Sequence, residues 1–206
     1  MALKTLVKIS NVTNLSDARY CAGMGVDMLG FSMDADSPDY VEPKKFSDIS
    51  GWVAGVQIVG ETTTTDPEVI EQLLDTYQPD VLQIDESALL PYLTTFGKPL
   101  ILRVDLSQLT LDQLNTLFHT GVTAADYVLL ESNSSLHLDE ELTETLQRIS
   151  ARYPVLLGTG ISADNVHELL TALPVRGIAL SGGDEERPGF KEFGELMDIL
   201  EAIEVE

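Results

Sequence analysis

The sequence predicts a compact (β/α)8 barrel, the TIM-barrel architecture, which occupies residues 1–206 as a single domain. Short β-rich apolar runs alternate strictly with helical segments, eight times in succession, and consecutive runs begin about 20 to 30 residues apart. No linker, low-complexity tract or block of charge interrupts this alternation. Alternating units of this kind form parallel sheets, and eight units without an inserted domain suit a closed barrel at the short end of its size range. A doubly wound open sheet is the alternative fold.

The individual elements follow from the apolar runs and from the residues that flank them. Strands are predicted at residues 5–10, 27–32, 52–59, 81–85, 99–105, 126–132, 155–157 and 178–180. Helices are predicted at residues 14–24, 44–49, 67–77, 87–95, 111–119, 138–153, 163–173 and 191–203. Asn14 is a typical helix start, Gly25 is a typical helix end, and Pro43 and Pro67 suit the openings of the second and third helices. In a barrel the functional site lies at the carboxyl ends of the strands, so chemistry is expected there.

The composition excludes several classes of function. The chain holds 34 acidic and 12 basic residues, for a formal net charge of −22 at pH 7, so we expect no nucleic-acid partner. No apolar run approaches the roughly 20 residues that span a bilayer. Residues 1–10 lack a signal-peptide pattern, because Lys8 interrupts a very short apolar run. We therefore expect an acidic, cytoplasmic protein that does not bind a membrane.

Few residues suit a metal or a cofactor, and we expect neither. Cys21 is the single cysteine, so an internal disulfide and a thiolate metal cluster are both excluded within the chain, which fits a reducing cytoplasm. The three histidines are scattered without metal-ligand spacing. Asp34 and Asp36 alternate as cation ligands do, but the pattern stops at Ser37, which favours a solvated loop. The sequence is compatible with a homodimer.

Two glycine-containing turns follow the last two predicted strands. The first reads Gly158-Thr159-Gly160 and the second reads Ser181-Gly182-Gly183, with one predicted helix between them. Glycine leaves backbone N–H groups uncovered and reaches positive φ, which allows close approach of an anion. Adjacent turns after strands seven and eight of such a barrel are a recurrent phosphate site, although either turn alone would indicate only a chain reversal. We predict that these six residues bind the phosphate of a phosphorylated small molecule.

Ordered motifs along nearly the whole chain resemble those of the phosphoribosylanthranilate isomerases of tryptophan biosynthesis. That family begins V-K-I-C-G-I-T-N-x-x-D-A, and residues 7–18 read VKISNVTNLSDA. Further similarity lies at residues 25–31, 37–41, 82–85, 127–131, 160–166, 180–183 and 188–189. The resemblance implies a TIM barrel and an Amadori rearrangement, in which a phosphoribosyl ring on anthranilate opens and an aldose-type amine becomes a ketose-type one.

The resemblance also assigns two catalytic positions, and both differ here from the family. Its general base, a cysteine on strand one, corresponds to Ser10, and its general acid, an aspartate on strand six, corresponds to Glu131. A serine hydroxyl is not appreciably ionised near neutral pH, so unaided it cannot be a general base, and it could simply fill space at a strand end. Glu131 keeps an acid but is one methylene longer, and it could equally be a solvated loop residue. A displacement of ~1 Å can lower a rate on the order of 100-fold.

Positions that the resemblance places in the substrate pocket differ as well. Asp39 stands where the family has a substrate-binding arginine, and Asp85 replaces the histidine of its Q-L-H-G motif. Residues 132–137 replace a glycine-rich loop and contain no glycine. Lys8 remains on strand one, and Arg103 occupies the family's basic position on strand five.

Three functions are compatible with this pattern. The first is a divergent isomerase with Glu131 as acid and a replacement base, such as Asp85 acting through Ser10 or water. The second is a non-catalytic relative that binds a phosphorylated small molecule or acts through a protein partner. The third is a barrel enzyme that acts on another phosphorylated, sugar-like substrate. Because Ser10, Asp39 and the strand-six loop all differ together, we expect weak or no activity towards phosphoribosylanthranilate.

Overall fold

The predicted barrel is present in the computed structural model, which describes residues 2–182, 185–187 and 190–205. Eight parallel strands within these residues form a closed barrel in chain order. They are β1 Leu6–Ser10, β2 Met28–Ser32, β3 Gln57–Glu61, β4 Val81–Ile84, β5 Leu100–Asp105, β6 Tyr127–Glu131, β7 Val155–Leu157 and β8 Gly177–Ser181. Because β1 pairs with both β2 and β8, the barrel is closed and the open-sheet alternative is wrong.

Helices follow the strands along the chain. They are α1 Leu15–Gly23, α2 Pro43–Ser50, α3 Pro67–Tyr77, α4 Leu90–Leu93, α5 Leu111–Thr120, α6 Glu140–Ser150, α7 Val166–Ala172 and α8 Gly194–Ala202. Short 3-10 turns flank α4, and a small antiparallel hairpin, β9 Glu185–Arg187 with β10 Phe190–Lys191, precedes α8. In the part of the chain that is described, no helix is both long enough and apolar enough to cross a membrane.

Local sequence signals fix several helix starts. The Asn14 side chain accepts a hydrogen bond from the Asp17 N–H at the start of α1, as its residue type predicts. Thr110 and Gln113 form a reciprocal capping box at the start of α5. Proline occupies the first turn of α2 and α3, where its missing N–H would have no helical partner.

Side chains alternate between the inside and the outside of the barrel. One apolar layer fills the interior and consists of Met28, Val59, Val81, Ile101, Leu129, Leu156 and Ala179. The alternate strand residues, such as Val7, Ile9 and Leu102, belong to the larger core between the strands and the helices. Because side chains repeat every second residue along a strand, the next inward positions toward the carboxyl ends are Ser10, Glu61, Gln83, Arg103, Glu131 and Ser181. The floor of the barrel is therefore apolar and its upper rim is polar.

Some predicted boundaries were wrong, most clearly that of strand three. The predicted strand covered residues 52–59, but β3 begins at Gln57 and continues to Glu61. Trp52, which has strong β propensity, is 73% exposed in the turn after α2. The predicted closing helix began at residue 191, whereas α8 begins at Gly194, after the hairpin.

Candidate functional site

A polar cavity of about 640 Å³ lies at the carboxyl ends of the strands. Strand residues that line it are Ser10, Ser32, Glu61, Gln83, Arg103, Glu131 and Ser181. Residues that follow strands and also line it include Asn11, Asp34, Asp36, Asp39, Asp85, Asn133 and Gly158. The structure thus brings Ser10, Glu131, Asp39, Asp85 and Arg103 to one rim.

Arg103 binds two carboxylates at the wall of this cavity. Its Nε donates to Glu131 Oε2 at 2.8 Å, and its Nη1 donates to Asp85 Oδ2 at 2.9 Å. Its Nη2 donates to Asn133 Oδ1 at 2.7 Å, which ties the loop after β6 to the same group. The planar guanidinium presents its donors in fixed directions, so these three partners are held in a defined geometry. Glu131 and Asp85 are therefore positioned side chains at the rim.

The pKa of the Asp85 carboxyl is raised in this group. Burial raises its pKa above the ordinary value of 3.8, and the charges of Glu131 and Asp34 act in the same direction. The nearby Arg103 lowers the pKa but does not offset the burial. A carboxyl with a raised pKa in a cleft suits proton transfer.

Lys8 lies beneath the cavity rather than at its surface, because the side chain is fully buried. Its Nζ donates to Glu61 Oε1 at 2.5 Å and to Ser10 Oγ at 2.7 Å. Glu61 Oε2 also accepts the Asn11 N–H at 3.3 Å. A Cβ atom at Gly30 would lie 1.9 Å from Glu61 Oε1, so the absent side chain of this glycine makes room for the ion pair. Lys8 therefore contacts the rim through Ser10 and Glu61, which both line the cavity.

Sequence reasoning missed Glu61 and gave no role to Gln83. The predicted third strand stopped at residue 59, which placed Glu61 in a loop, whereas it is the last residue of β3 and lies opposite Gln83 of β4. Gln83 is 5% exposed, and its Oε1 atom has no hydrogen-bond partner among the described residues. The signal that could have identified both was the polar residue ending each buried strand.

The two predicted glycine turns lie together beside this cavity. Gly158, Thr159, Gly160, Ser181 and Gly182 line a smaller adjoining cavity of about 260 Å³, and Gly160 has the positive φ of 70° that favours glycine. Gly183 lies outside the described residues. The arrangement leaves a concave surface between the ends of β7 and β8.

Two glutamates also line this smaller cavity. They are Glu192 and Glu195, at the start of α8. Glu192 Oε1 accepts the N–H of Gly194 at 2.5 Å, so a carboxylate already occupies one amide at the beginning of the helix. An anion bound between the turns would lie near this carboxylate and would compete with it for backbone N–H groups.

The larger cavity is strongly acidic. Among the residues that the structure describes, six carboxylate side chains line it, namely Asp34, Asp36, Asp39, Glu61, Asp85 and Glu131. Arg103 is the cationic side chain among the described lining residues, and it already binds Asp85 and Glu131. Asp34 accepts hydrogen bonds from Thr62 and Thr63. Within the described residues, no group of three or more histidine, cysteine, aspartate or glutamate side chains is arranged to hold a metal ion.

The fold and the rim define a class: a (β/α)8 barrel with acid–base side chains and glycine turns at the carboxyl ends of its strands. Residues 7–202 match the family described as N-(5'phosphoribosyl)anthranilate (PRA) isomerase, so the chain belongs to that family. It is 26% identical over 205 residues to the N-(5'-phosphoribosyl)anthranilate isomerase of Maridesulfovibrio salexigens, a match that covers 98% of this chain and 99% of that protein.

Two solved structures share the fold across nearly the full chain. One is a phosphoribosyl anthranilate isomerase in complex with reduced 1-(O-carboxyphenylamino)-1-deoxyribulose 5-phosphate. It is 21% identical, has a TM-score of 0.78, and the match covers 97% of this chain and 98% of that one. The other shows monomers generated from the dimeric isomerase of Thermotoga maritima, with 20% identity, a TM-score of 0.78 and the same coverage. At these identities the likeness confirms the predicted fold.

Proposed function

We propose that the chain catalyses an acid–base isomerisation of a phosphorylated sugar amine, as its family does, but with a different preference at the non-phosphate end. The supporting observation is the Asp85–Arg103–Glu131 group at the cavity wall. One guanidinium cannot neutralise both carboxylates, and burial together with the charge of Glu131 raises the pKa of Asp85. This group can supply a proton to the ring oxygen of a bound sugar.

The proposed reaction is intramolecular and consumes no oxidant or reductant. Glu131 donates a proton to the ring oxygen as the C1–O bond breaks, and the nitrogen lone pair forms a C1=N iminium. A base removes the C2 proton, the C–H electron pair becomes a C1=C2 bond, and the iminium electrons return to nitrogen. The enol hydroxyl proton then passes to the deprotonated Glu131, which restores the acid, and the base returns the proton it took from C2 to C1, which gives the ketose-type amine. Ser10 contributes a hydroxyl to the lining of the same cavity.

The charge of the cavity wall argues against anthranilate as the amine. Anthranilate carries a carboxylate, and Asp39, Asp34 and Asp36 line the cavity on the side of the loop after β2. Like charges placed together oppose binding unless a cation intervenes, and the cation among the described lining residues, Arg103, is already bound to two carboxylates. An uncharged or hydroxyl-bearing amine, which offers hydrogen-bond donors to these acceptors, fits better. A phosphoribosylamine without the carboxylate is therefore the substrate class that we assign.

The two glycine turns are the proposed site of the phosphate group. Titration with inorganic phosphate to millimolar concentrations should shift the amide NMR signals of Gly158, Gly160 and Gly182. Glu192→Gln should strengthen this binding, because it removes a negative charge from the lining of the same cavity. The amides of residues 115–119, on α5, serve as the internal control. If the amides of both turns stay unmoved in the wild type and in Glu192→Gln, the phosphate assignment is wrong.

The acid is tested with N-(5'-phosphoribosyl)aniline, formed by condensing aniline with ribose 5-phosphate. Glu131→Gln should lower kcat/KM for its isomerisation by roughly 10²–10⁴-fold, the usual contribution of a positioned acid. Glu131→Asp should retain part of the rate, and the exposed control Glu141→Gln should retain all of it. Equal rates in the wild type and in Glu131→Gln would show that Glu131 is not the general acid.

A second candidate function is phosphate-ligand binding without catalysis, and the serine at position 10 favours it because no thiol base is present there. Under this alternative, the reduced ketose amine 1-anilino-1-deoxyribitol 5-phosphate should bind, while N-(5'-phosphoribosyl)aniline should isomerise no faster with the protein than without it. The wild-type rate in the same assay therefore decides between the two functions.

A further inference from the structure

We propose that Glu61 is the general base of this barrel and removes the proton from C2 of the open-chain sugar amine. This inference rests on the proposed isomerisation, in which the base that removes the C2 proton has not yet been assigned to a residue. The C2 proton passes to a Glu61 carboxylate oxygen, the C–H electron pair enters the C1=C2 bond, and the protonated Glu61 returns its proton at C1. No further reactant is needed.

Neither Ser10 nor Lys8 can supply this base. The Ser10 hydroxyl accepts a hydrogen bond from the Lys8 ammonium at 2.7 Å, and an ammonium donor cannot take a proton from it. Lys8 itself is fully buried and does not line the cavity. Among the described residues that line the cavity, the carboxylates are the remaining candidate bases.

Two hydrogen-bond donors hold the Glu61 carboxylate in place and leave some of its lone pairs available to accept a proton. Lys8 Nζ donates to Oε1, and the Asn11 N–H donates to Oε2. An ionised carboxylate has about four lone-pair sites, so these two donors leave acceptor capacity on the carboxylate. The side chain lines the cavity although only 8% of it is exposed. The buried Lys8 side chain orients Glu61 from below while the Glu61 carboxylate borders the cavity.

Gln83 provides an independent sign that a ligand binds beside Glu61. The two residues face each other in the β3–β4 register. Gln83 lines the cavity, is 5% exposed, and carries a buried oxygen without a partner among the described residues. Buried acceptors without donors are rare, because losing the hydrogen bond to water is unfavourable. A ligand hydroxyl would satisfy this oxygen, and the hydroxyl at C2 lies next to the proton that Glu61 would remove.

The position of β3 in the barrel also suits the role. The proposed acid Glu131 ends β6, and β4 and β5 separate that strand from β3. Acid and base therefore approach a bound sugar from different sides of the rim. The rival base, Asp85, shares Arg103 with Glu131 and belongs to the acid side.

The test compares Glu61→Gln and Glu61→Asp with wild type in the isomerisation of N-(5'-phosphoribosyl)aniline. Glu61→Gln should lower kcat/KM by roughly 10²–10⁴-fold, while Glu61→Asp should retain measurable turnover. The acid limb of the pH–rate profile should be present in wild type and absent in Glu61→Gln. Substrate deuterated at C2 should react more slowly with the wild-type protein. The reduced ketose amine should bind to both variants as it does to wild type, which shows that the rim is intact.

The possible failures are distinguishable. If wild type isomerises the substrate and Glu61→Gln keeps its rate within about threefold, the base assignment alone is overturned. The assignment is also overturned if Glu61→Gln loses rate but keeps the wild-type pH profile, since that result indicates a structural role for the Lys8–Glu61 pair. If wild type does not accelerate the reaction at all, the proposed function fails and the base assignment fails with it.

Discussion

Replacing Lys8 by methionine should lower the free energy of unfolding by about 3–5 kcal/mol, because the substitution leaves the Glu61 carboxylate buried without its cation. Lys8 is fully buried and Glu61 nearly so, and the space for the pair exists because residue 30 is glycine. Lys4→Met is the matched control: that lysine is exposed, so its loss should change stability by no more than about 0.5 kcal/mol. Urea-induced unfolding measures both.

The double variant Lys8→Met with Glu61→Gln should recover most of the lost stability. Removing both charges ends the need to bury an unpaired carboxylate, and such replacements are often close to neutral. If Lys8→Met alone lowers the free energy of unfolding by less than about 1 kcal/mol, another group compensates the charge of Glu61. The assignment of Lys8 as the cation that compensates the buried Glu61 would then be wrong.

Activity towards phosphoribosylanthranilate should be several orders of magnitude below that of a family member with the cysteine and aspartate pair. Glu131 is one methylene longer than the family's aspartate, and a displacement of ~1 Å can lower a rate on the order of 100-fold. Asp39 also places a carboxylate where the resemblance predicts an arginine, which opposes binding of the anthranilate carboxylate. These effects need not add, because residues of one site act together. The gene should therefore fail to support growth of a tryptophan auxotroph that lacks the isomerase, with soluble expression verified.

Robust growth of that auxotroph would restore anthranilate as the substrate. If growth fails, the double change Ser10→Cys with Glu131→Asp separates the catalytic pair from the acidic wall. Rescue by this pair alone would show that the pocket still accepts the carboxylate, and the inference from Asp39 would be wrong.

The barrel could be predicted because its evidence is periodic and local. Eight apolar runs, each followed by a helical pattern, leave little choice of architecture, and the glycine turns after β7 and β8 mark one end of it. Residues placed at strand ends by the resemblance, such as Asp85, Arg103 and Glu131, reach the rim because strand polarity determines which end they occupy.

The contacts within the site could not be predicted, because they join residues that are distant in sequence. Lys8 and Glu61 are 53 positions apart, and no local sequence pattern indicates that the two side chains form an ion pair. Strand three was placed too early because Trp52 has high β propensity, whereas it lies exposed in a turn. The unpaired oxygen of Gln83 depends on side-chain packing and has no signature in the sequence.

The most direct test of the proposed function is a competition in one tube between N-(5'-phosphoribosyl)aniline and N-(5'-phosphoribosyl)anthranilate at equal concentration. The ratio of the two ketose amines formed, corrected for the uncatalysed reaction, gives the ratio of kcat/KM values. The acidic wall predicts at least about a tenfold excess of the aniline product, corresponding to ~1.4 kcal/mol, and Asp39→Arg should reduce that excess. A predominance of the carboxylated product in the wild type, or no catalysed formation of either, would contradict the proposed function.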